Sequence, residues 1–164
     1  MPIWALTVAY WLHMAATVLW VGGLLFQSLV LQPVLAGALP VESIPPLLYR
    51  MRRRFQPLAW ICLSVLVGTG LMQMTANPNY LGFVQFTNTW SQAILIKHIA
   101  ILGMVLVAAY QTWWLGPRLE ISLLLEKKGV REQEDPLRAF HRLTWVNTFL
   151  SLLVLALTAI ARTA

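Results

Sequence analysis

Long uncharged stretches alternate with short charged ones along this chain. No Asp, Glu, Lys or Arg occurs in residues 1–41, 55–96, 98–117 or 143–161. A transmembrane helix needs about 20 consecutive, mainly apolar residues, and each of the four stretches supplies a run of roughly that length. The pattern therefore predicts four membrane-spanning helices.

Prolines, glycines and polar turn residues set the predicted ends of these helices. We predict helices over about residues 2–31, 46–75, 91–115 and 136–162, in one transmembrane domain that covers residues 1–164. Pro33 helps to end the first helix, and Pro78 lies in the turn after the second. Residues 80–90 are uncharged and aromatic, which is typical of a loop in the membrane interface.

The composition excludes two other classes of protein. The chain is 59% hydrophobic and 11% charged, whereas soluble domains are roughly half apolar and about a quarter charged. A soluble domain of this length could not bury so much apolar surface in one core, and a disordered chain would be more polar. We predict an all-α integral membrane protein, a four-helix bundle of up-down-up-down order. The pattern shows no internal repeat.

The positive charges cluster in two connections. Ten of the twelve Lys and Arg residues lie in or beside the connections that precede the second and fourth helices, and only Lys97 and Arg162 lie elsewhere. Basic connections stay in the cytoplasm, so we predict that both termini lie outside. Basic residues beside membrane spans contact lipid phosphates. The net charge of +6 is therefore explained by the lipid bilayer, and it does not indicate a nucleic-acid partner.

Ionisable side chains inside a membrane are costly, and they indicate where function resides. His13 lies in the first predicted helix, and Lys97 and His98 lie in the third. These two helices run in the same direction, which places the three residues roughly 10 to 15 Å below the outer surface, given a rise of about 1.5 Å per residue. The histidines suit the axial ligands of a b-type heme or part of a metal site. The alternative is that each only bonds a neighbouring helix.

Lys97 and the methionines leave further alternatives open. The Lys97 ammonium either reaches outward as an anchor, neutralises a heme propionate or serves as a ligand. Met14 and Met72 lie at the same predicted level as His13, and thioether with imidazole suits Cu(I). Methionines also fill gaps in apolar interiors. His141 begins the fourth helix, remote from this group. No catalytic residue is predicted, because the spans contain no carboxylate and no recognised catalytic motif.

Short segments of all four helices resemble the copper-resistance protein D (CopD) family. These segments are Trp11-Leu12-His13-Met14 with Val18 to Phe26, Arg54 to Trp60 with Gly68-Thr69-Gly70-Leu71, Ile94 to Lys97 with Leu115 to Leu119, and Asn147 with the apolar tail to Arg162. The resemblance implies a bacterial inner-membrane protein concerned with copper uptake. A periplasmic copper carrier or other membrane subunits are the protein partners that it implies.

A more distant resemblance is to HemJ-type protoporphyrinogen oxidases. That family has a first-helix His and a third-helix Lys associated with heme, which match His13 and Lys97. The chain lacks its Asn-Glu-x-Pro stretch in the fourth helix, where Asn147-Thr148-Phe149-Leu150 stands, and this departure argues against an enzyme. Three hypotheses follow: a copper protein that uses His13 and His98 with Met14 or Met72, a heme b electron-transfer protein, and a structural subunit of a larger complex.

Overall fold

The computed structural model describes residues 2–38, 44–77, 89–119, 121 and 136–163. Within them the chain forms four long helices, each with a stretch long and apolar enough to cross a membrane. The first runs through Ile3–Leu25, a π-helical segment Phe26–Leu31 and Gln32–Ala38; the second is Ile44–Thr75; the third runs through Thr89–Tyr110, a π-helical segment Gln111–Leu115 and residues 116–119; the fourth is Pro136–Thr163. The predicted all-α, four-helix membrane architecture is confirmed.

The outer surface of the bundle is apolar, and its most deeply buried side chains are polar. The most deeply buried large side chains are Asn147, Thr144, Ser28 and Ser151, whereas Val18, Trp113 and Phe149 are exposed over most of their surface. In lipid, burying Leu or Val gains little, so helix association relies on close packing and on hydrogen bonds between polar side chains. The distribution of residues is therefore that of helices packed within a membrane.

Hydrogen bonds show how the helices pair. Gln73 Nε2, late in the second helix, donates to the Ala9 carbonyl, early in the first, at 3.3 Å. Gln111 Nε2, late in the third helix, donates to the Phe140 carbonyl and the Thr144 hydroxyl, early in the fourth, at 3.2 and 3.1 Å. The second helix therefore packs against the first, and the fourth packs against the third. The order of the whole bundle and the side of the membrane on which the termini lie stay predictions.

Two polar contacts join these pairs into one bundle. The hydroxyls of Ser28 and Thr148 lie 2.7 Å apart between the first and fourth helices. The Arg52 guanidinium donates to the Thr112 carbonyl at 2.6 Å between the second and third. The apolar core lies between them and contains Ala16, Trp20, Cys62, Leu63 and Met104. We call the part of the bundle around His13 and Thr69 the His13 half, and the part around Arg52 and Thr112 the Arg52 half.

The first helix continues to Ala38, beyond the end predicted at Leu31. The π-helical segment explains the difference. The Gln32 N–H donates to the Gln27 carbonyl, one residue further back than in an α-helix, and the wider turn accommodates the ring of Pro33 that would otherwise break the helix. The predicted interface loop up to residue 88 and most of the last basic connection lie outside the described residues.

Candidate metal centre

His13 projects from the first helix against the second. Its Nδ1 lies 2.8 Å from the Thr69 hydroxyl. The adjacent Gly70 leaves room for the ring, since a Cβ at that position would lie 3.5 Å from His13 Cε1. Alanine would therefore just contact the ring, and a larger side chain would displace it.

The hydrogen bonds of Thr69 determine which ring nitrogen of His13 carries the proton. The Thr69 hydroxyl donates to the Val65 carbonyl of its own helix at 2.5 Å. A hydroxyl has one proton to donate, so Thr69 must accept from His13, and His13 Nδ1 must be the donor. In the neutral ring, Nε2 then carries a lone pair, which is the form that binds metal ions.

His98 has the same arrangement through a different partner. Its Nδ1 lies 2.7 Å from the Ile94 carbonyl of its own helix. A carbonyl can only accept a hydrogen bond, so Nδ1 again donates and Nε2 of the neutral ring carries the lone pair. In the neutral form of each ring, Nδ1 is therefore the donor and Nε2 is the nitrogen that could ligate a metal ion.

Lys97 belongs to the same half of the bundle as His13. It is only partly exposed, and its charge acts on the His13 ring. The third helix at Lys97 therefore lies within electrostatic range of His13. A cation beside an imidazole opposes the arrival of a second cation there, and any metal site in this half must accommodate that repulsion.

The two predicted methionine ligands lie in different settings. Met14 is 59% exposed on the outer surface of the first helix, and it points away from the bundle interior. Met72 is partly buried and lies three residues after Thr69, which places both on one face of the second helix. Met72 therefore has the better position to join His13, and ligation by either methionine stays a prediction.

The remaining ligand types are sparse. Within the described ranges, no three His, Cys, Asp or Glu side chains are grouped so that they could hold a metal ion. His141 lies at the beginning of the fourth helix, away from the region of His13.

Sequence reasoning missed Thr69, the residue that orients His13. Threonine is common in membrane helices, where its hydroxyl usually bonds its own backbone, so its presence alone carries little information. A usable signal was the pair Thr69 and Gln73, four residues apart, because it places two polar groups on one face of an apolar helix. Both contact the first helix.

One comparison with known proteins gives a match. The family model described as Copper resistance protein D matches residues 49–161, which is more than half of the chain. The matched range includes Thr69, Lys97 and His98 but not the first helix with His13. No curated protein and no solved structure matches the chain.

Proposed function

The chain belongs to the copper resistance protein D family, and from this premise we propose that it binds Cu(I) in the His13 half of a multi-pass bundle in the bacterial inner membrane. The first ligand is Nε2 of His13 and the second is Nε2 of His98. The bound ion is in passage across the membrane rather than a permanent cofactor. Together with the predicted topology, this places the site in the outer half of the membrane.

One inference from the hydrogen bonds supports this proposal above the others: the partners of each imidazole direct its proton to Nδ1. The Thr69 hydroxyl holds His13 in this state, and the Ile94 carbonyl holds His98. Histidine ligands of metal ions are commonly fixed in this way through their second nitrogen.

Met72 is proposed as a third, weaker ligand. Its thioether matches the preference of Cu(I) for soft donors, and it shares a helix face with Thr69. Met14 is less suited to this role because its side chain faces outward.

Lys97 is proposed to weaken copper binding. A positive charge close to His13 raises the energy of a bound cation by on the order of 1 kcal/mol, or about fivefold in affinity, at the effective dielectric constant of a partly solvated site. Weak binding is an advantage for a site through which an ion must pass. Replacing Lys97 with leucine removes the charge without adding a ligand, and it should therefore tighten Cu(I) binding.

The test is a Cu(I) competition titration of the full chain in detergent micelles, with a chromophoric chelator under reducing conditions. His13→Ala should abolish binding. Thr69→Val keeps the shape of the side chain and removes the acceptor for Nδ1, and it should weaken binding by about 10- to 100-fold. The matched control His141→Ala removes an imidazole at the other end of the bundle and should bind as the unsubstituted protein does.

Two results would contradict this proposal. One is a Cu(I) affinity that His13→Ala leaves unchanged. The other is a Soret band in the visible spectrum of the protein that is lost in the His13→Ala variant, because it would show that the imidazole ligates heme iron instead.

A further inference from the structure

The four helices pack as two hairpins. Among the described residues, the second helix lies along the first and the fourth lies along the third. Between the hairpins, the first and fourth helices contact each other, whereas the second and third do so only sparsely in the same part of the chain. The bundle is therefore closely packed at the first–fourth seam and loosely packed at the second–third seam.

The two hairpins also resemble each other in sequence. The pattern R-x-F-x-x-L-x-W begins at Arg53 in the second helix and at Arg138 in the fourth. Phe55 and Phe140 hold the same place in this pattern, and both line one cavity of about 140 Å³. This likeness corrects the expectation that the chain has no internal repeat, and it places the cavity between two related hairpins. In membrane transporters, such repeats commonly move against each other as rigid bodies.

Side chains, rather than close packing of helices, bridge the second–third seam beside this cavity. Arg52 lines the cavity, and its guanidinium donates to the Thr112 carbonyl at 2.6 Å. Trp60 also lines the cavity, and its ring is stacked on that of Trp113, with the ring centroids 5.3 Å apart. Trp113 is 69% exposed. Both contacts therefore cross the seam at the cavity, with Trp113 on the outer surface of the bundle.

The two seams differ in how readily they can open. At the first–fourth seam, Ser28 and Thr148 are each 2% exposed, and separating them would leave buried hydroxyls without this hydrogen bond. At the second–third seam, the Trp113 ring already lies at the surface, so it can leave Trp60 by rotation of its own side chain. The contacts of the second–third seam can thus break while the first–fourth seam stays packed.

From this asymmetry we propose that the second–third seam is a gate. The Arg52–Thr112 bond and the Trp60–Trp113 stack hold it closed. The hairpins separate there about the first–fourth seam, which acts as the hinge, and opening connects the cavity with the surroundings of the bundle. The gate is independent of the proposed copper site, because neither His13 nor His98 takes part in its contacts.

Cys62, the only cysteine of the chain, can report whether the gate is open. Its side chain is 4% exposed and lines the cavity. A buried thiol reacts in proportion to the fraction of molecules in which it becomes accessible, provided that opening and closing are fast. The experiment measures by mass spectrometry how fast N-ethylmaleimide labels Cys62 in the full chain in detergent micelles. Labelling should be much slower than in the same chain unfolded in SDS.

Weakening either contact of the gate should accelerate this labelling. Arg52→Met should raise the rate about tenfold, which is the effect of losing one hydrogen bond to a charged group. Trp113→Leu removes the stack and should raise the rate severalfold, which gives a second test if Arg52→Met fails to fold. The matched controls are Arg53→Met and Trp114→Leu, at exposed neighbours that take part in neither contact; they should leave the rate unchanged.

Two further variants distinguish opening of the gate from unfolding of the bundle. Ser151→Cys in a Cys62→Ala background places the only thiol at a position of the fourth helix that is 1% exposed and does not line the cavity. Relative to its rate in SDS, this thiol should be labelled more slowly than Cys62, because its exposure requires wider unfolding. Ser28→Ala removes a bond of the hinge that persists when the gate is open, so it should leave the labelling of Cys62 unchanged.

Any of four results would overturn this proposal. They are labelling of Cys62 as fast in the folded protein as in SDS, equal relative rates for the two thiols, a Cys62 rate that neither Arg52→Met nor Trp113→Leu raises, and a Cys62 rate that Ser28→Ala raises as much as they do.

Discussion

The first and third helices share an irregularity that they use differently. Each leaves α-helical geometry near the end of the membrane span, in the π-helical segments Phe26–Leu31 and Gln111–Leu115. The two sequences there follow one pattern, a Gln, a Ser or Thr, two apolar residues, Leu, one variable residue and Pro. They are Gln27-Ser28-Leu29-Val30-Leu31-Gln32-Pro33 and Gln111-Thr112-Trp113-Trp114-Leu115-Gly116-Pro117.

In both helices, the proline after the π-helical segment leaves one backbone carbonyl without a backbone donor. In the third helix, the Gly116 N–H donates to the Gln111 carbonyl. In an α-helix it would donate to the Thr112 carbonyl instead, so that carbonyl loses its usual donor. The next residue that could donate to the Thr112 carbonyl is Pro117, which has no N–H. The Ser28 carbonyl of the first helix loses both backbone donors in the same way, because Gln32 donates to Gln27 and Pro33 follows.

The helices differ in the residue just before the proline. Gly116 has no side chain, and the Arg52 guanidinium lies in the space that a Cβ would take, from which it donates to the Thr112 carbonyl. In the first helix Gln32 stands at this position, and its buried Nε2 has no hydrogen-bond partner among the described residues. The comparison shows that a glycine before the proline leaves room for a side chain of a neighbouring helix to donate to the unpaired carbonyl. A larger residue at this position fills that room.

Removing the compensating side chain should have the largest effect. Arg52→Met leaves the Thr112 carbonyl without its donor, and we expect a loss of about 1–3 kcal/mol in the free energy of unfolding. Pro117→Ala restores an N–H at the position that can bond Thr112, so Arg52→Met should cost less than half as much in that background. Denaturant unfolding in micelles measures the four proteins of this cycle. Arg53→Met, on an exposed neighbour, is the control. Equal costs in both backgrounds would contradict our account of the π-helical segment.

Filling the space before the proline should have an intermediate effect. Gly116→Ala displaces the Arg52 guanidinium from Thr112, and the net loss should be about 1 kcal/mol, because the gain in helix propensity offsets part of the lost bond. At Gly22 a Cβ would meet no atom within 4 Å, so Gly22→Ala should instead stabilise the protein slightly. Thermal unfolding of the two variants side by side checks the opposite signs, and a stabilised Gly116→Ala variant would refute the role given to this glycine.

Replacing Gln32, the first-helix residue that corresponds to Gly116, should have the smallest effect on stability. This substitution should stabilise the protein. Gln32→Leu removes the unpartnered amide, and the free energy of unfolding should rise by about 0.5–1 kcal/mol. Gln111→Leu is the matched contrast, because that amide donates to the fourth helix, and it should destabilise. If Gln32→Leu destabilises as much as Gln111→Leu does, the two π-helical segments are more alike than the structure indicates.

Hydropathy predicted the four helices because a membrane span requires an uncharged run of fixed length, and the charges of this chain mark the ends of those runs. It misplaced the end of the first helix because Pro33 breaks an α-helix but is tolerated just after a wider π-helical turn. The repeated pattern escaped notice because only four of its seven positions are alike, and apolar residues between them match by composition alone.

The candidate site was predictable in part. Ionisable residues within apolar spans identified His13, Lys97 and His98, since such residues are rare there. Their hydrogen bonds were not predictable, because Thr69 is 56 positions from His13 in the chain and only the packed bundle brings the two together. Within the described part of the chain, Trp20 Nε1 and Asn147 Oδ1 have no hydrogen-bond partner. This was beyond sequence reasoning as well, because lack of a partner is a property of the surroundings rather than of the residue.

The correspondence between the first and third helices also bears on the number of ions that the bundle can hold. Lys97 follows His13 by the same number of residues as Gln111 follows Gln27. Lys97 therefore holds in the third helix the position that His13 holds in the first. A bundle with histidine at both positions would offer two equivalent ligands, at each of which an ion could bind. This bundle has histidine at only one of the two positions, and under the proposed function copper occupancy should therefore saturate at one ion per chain.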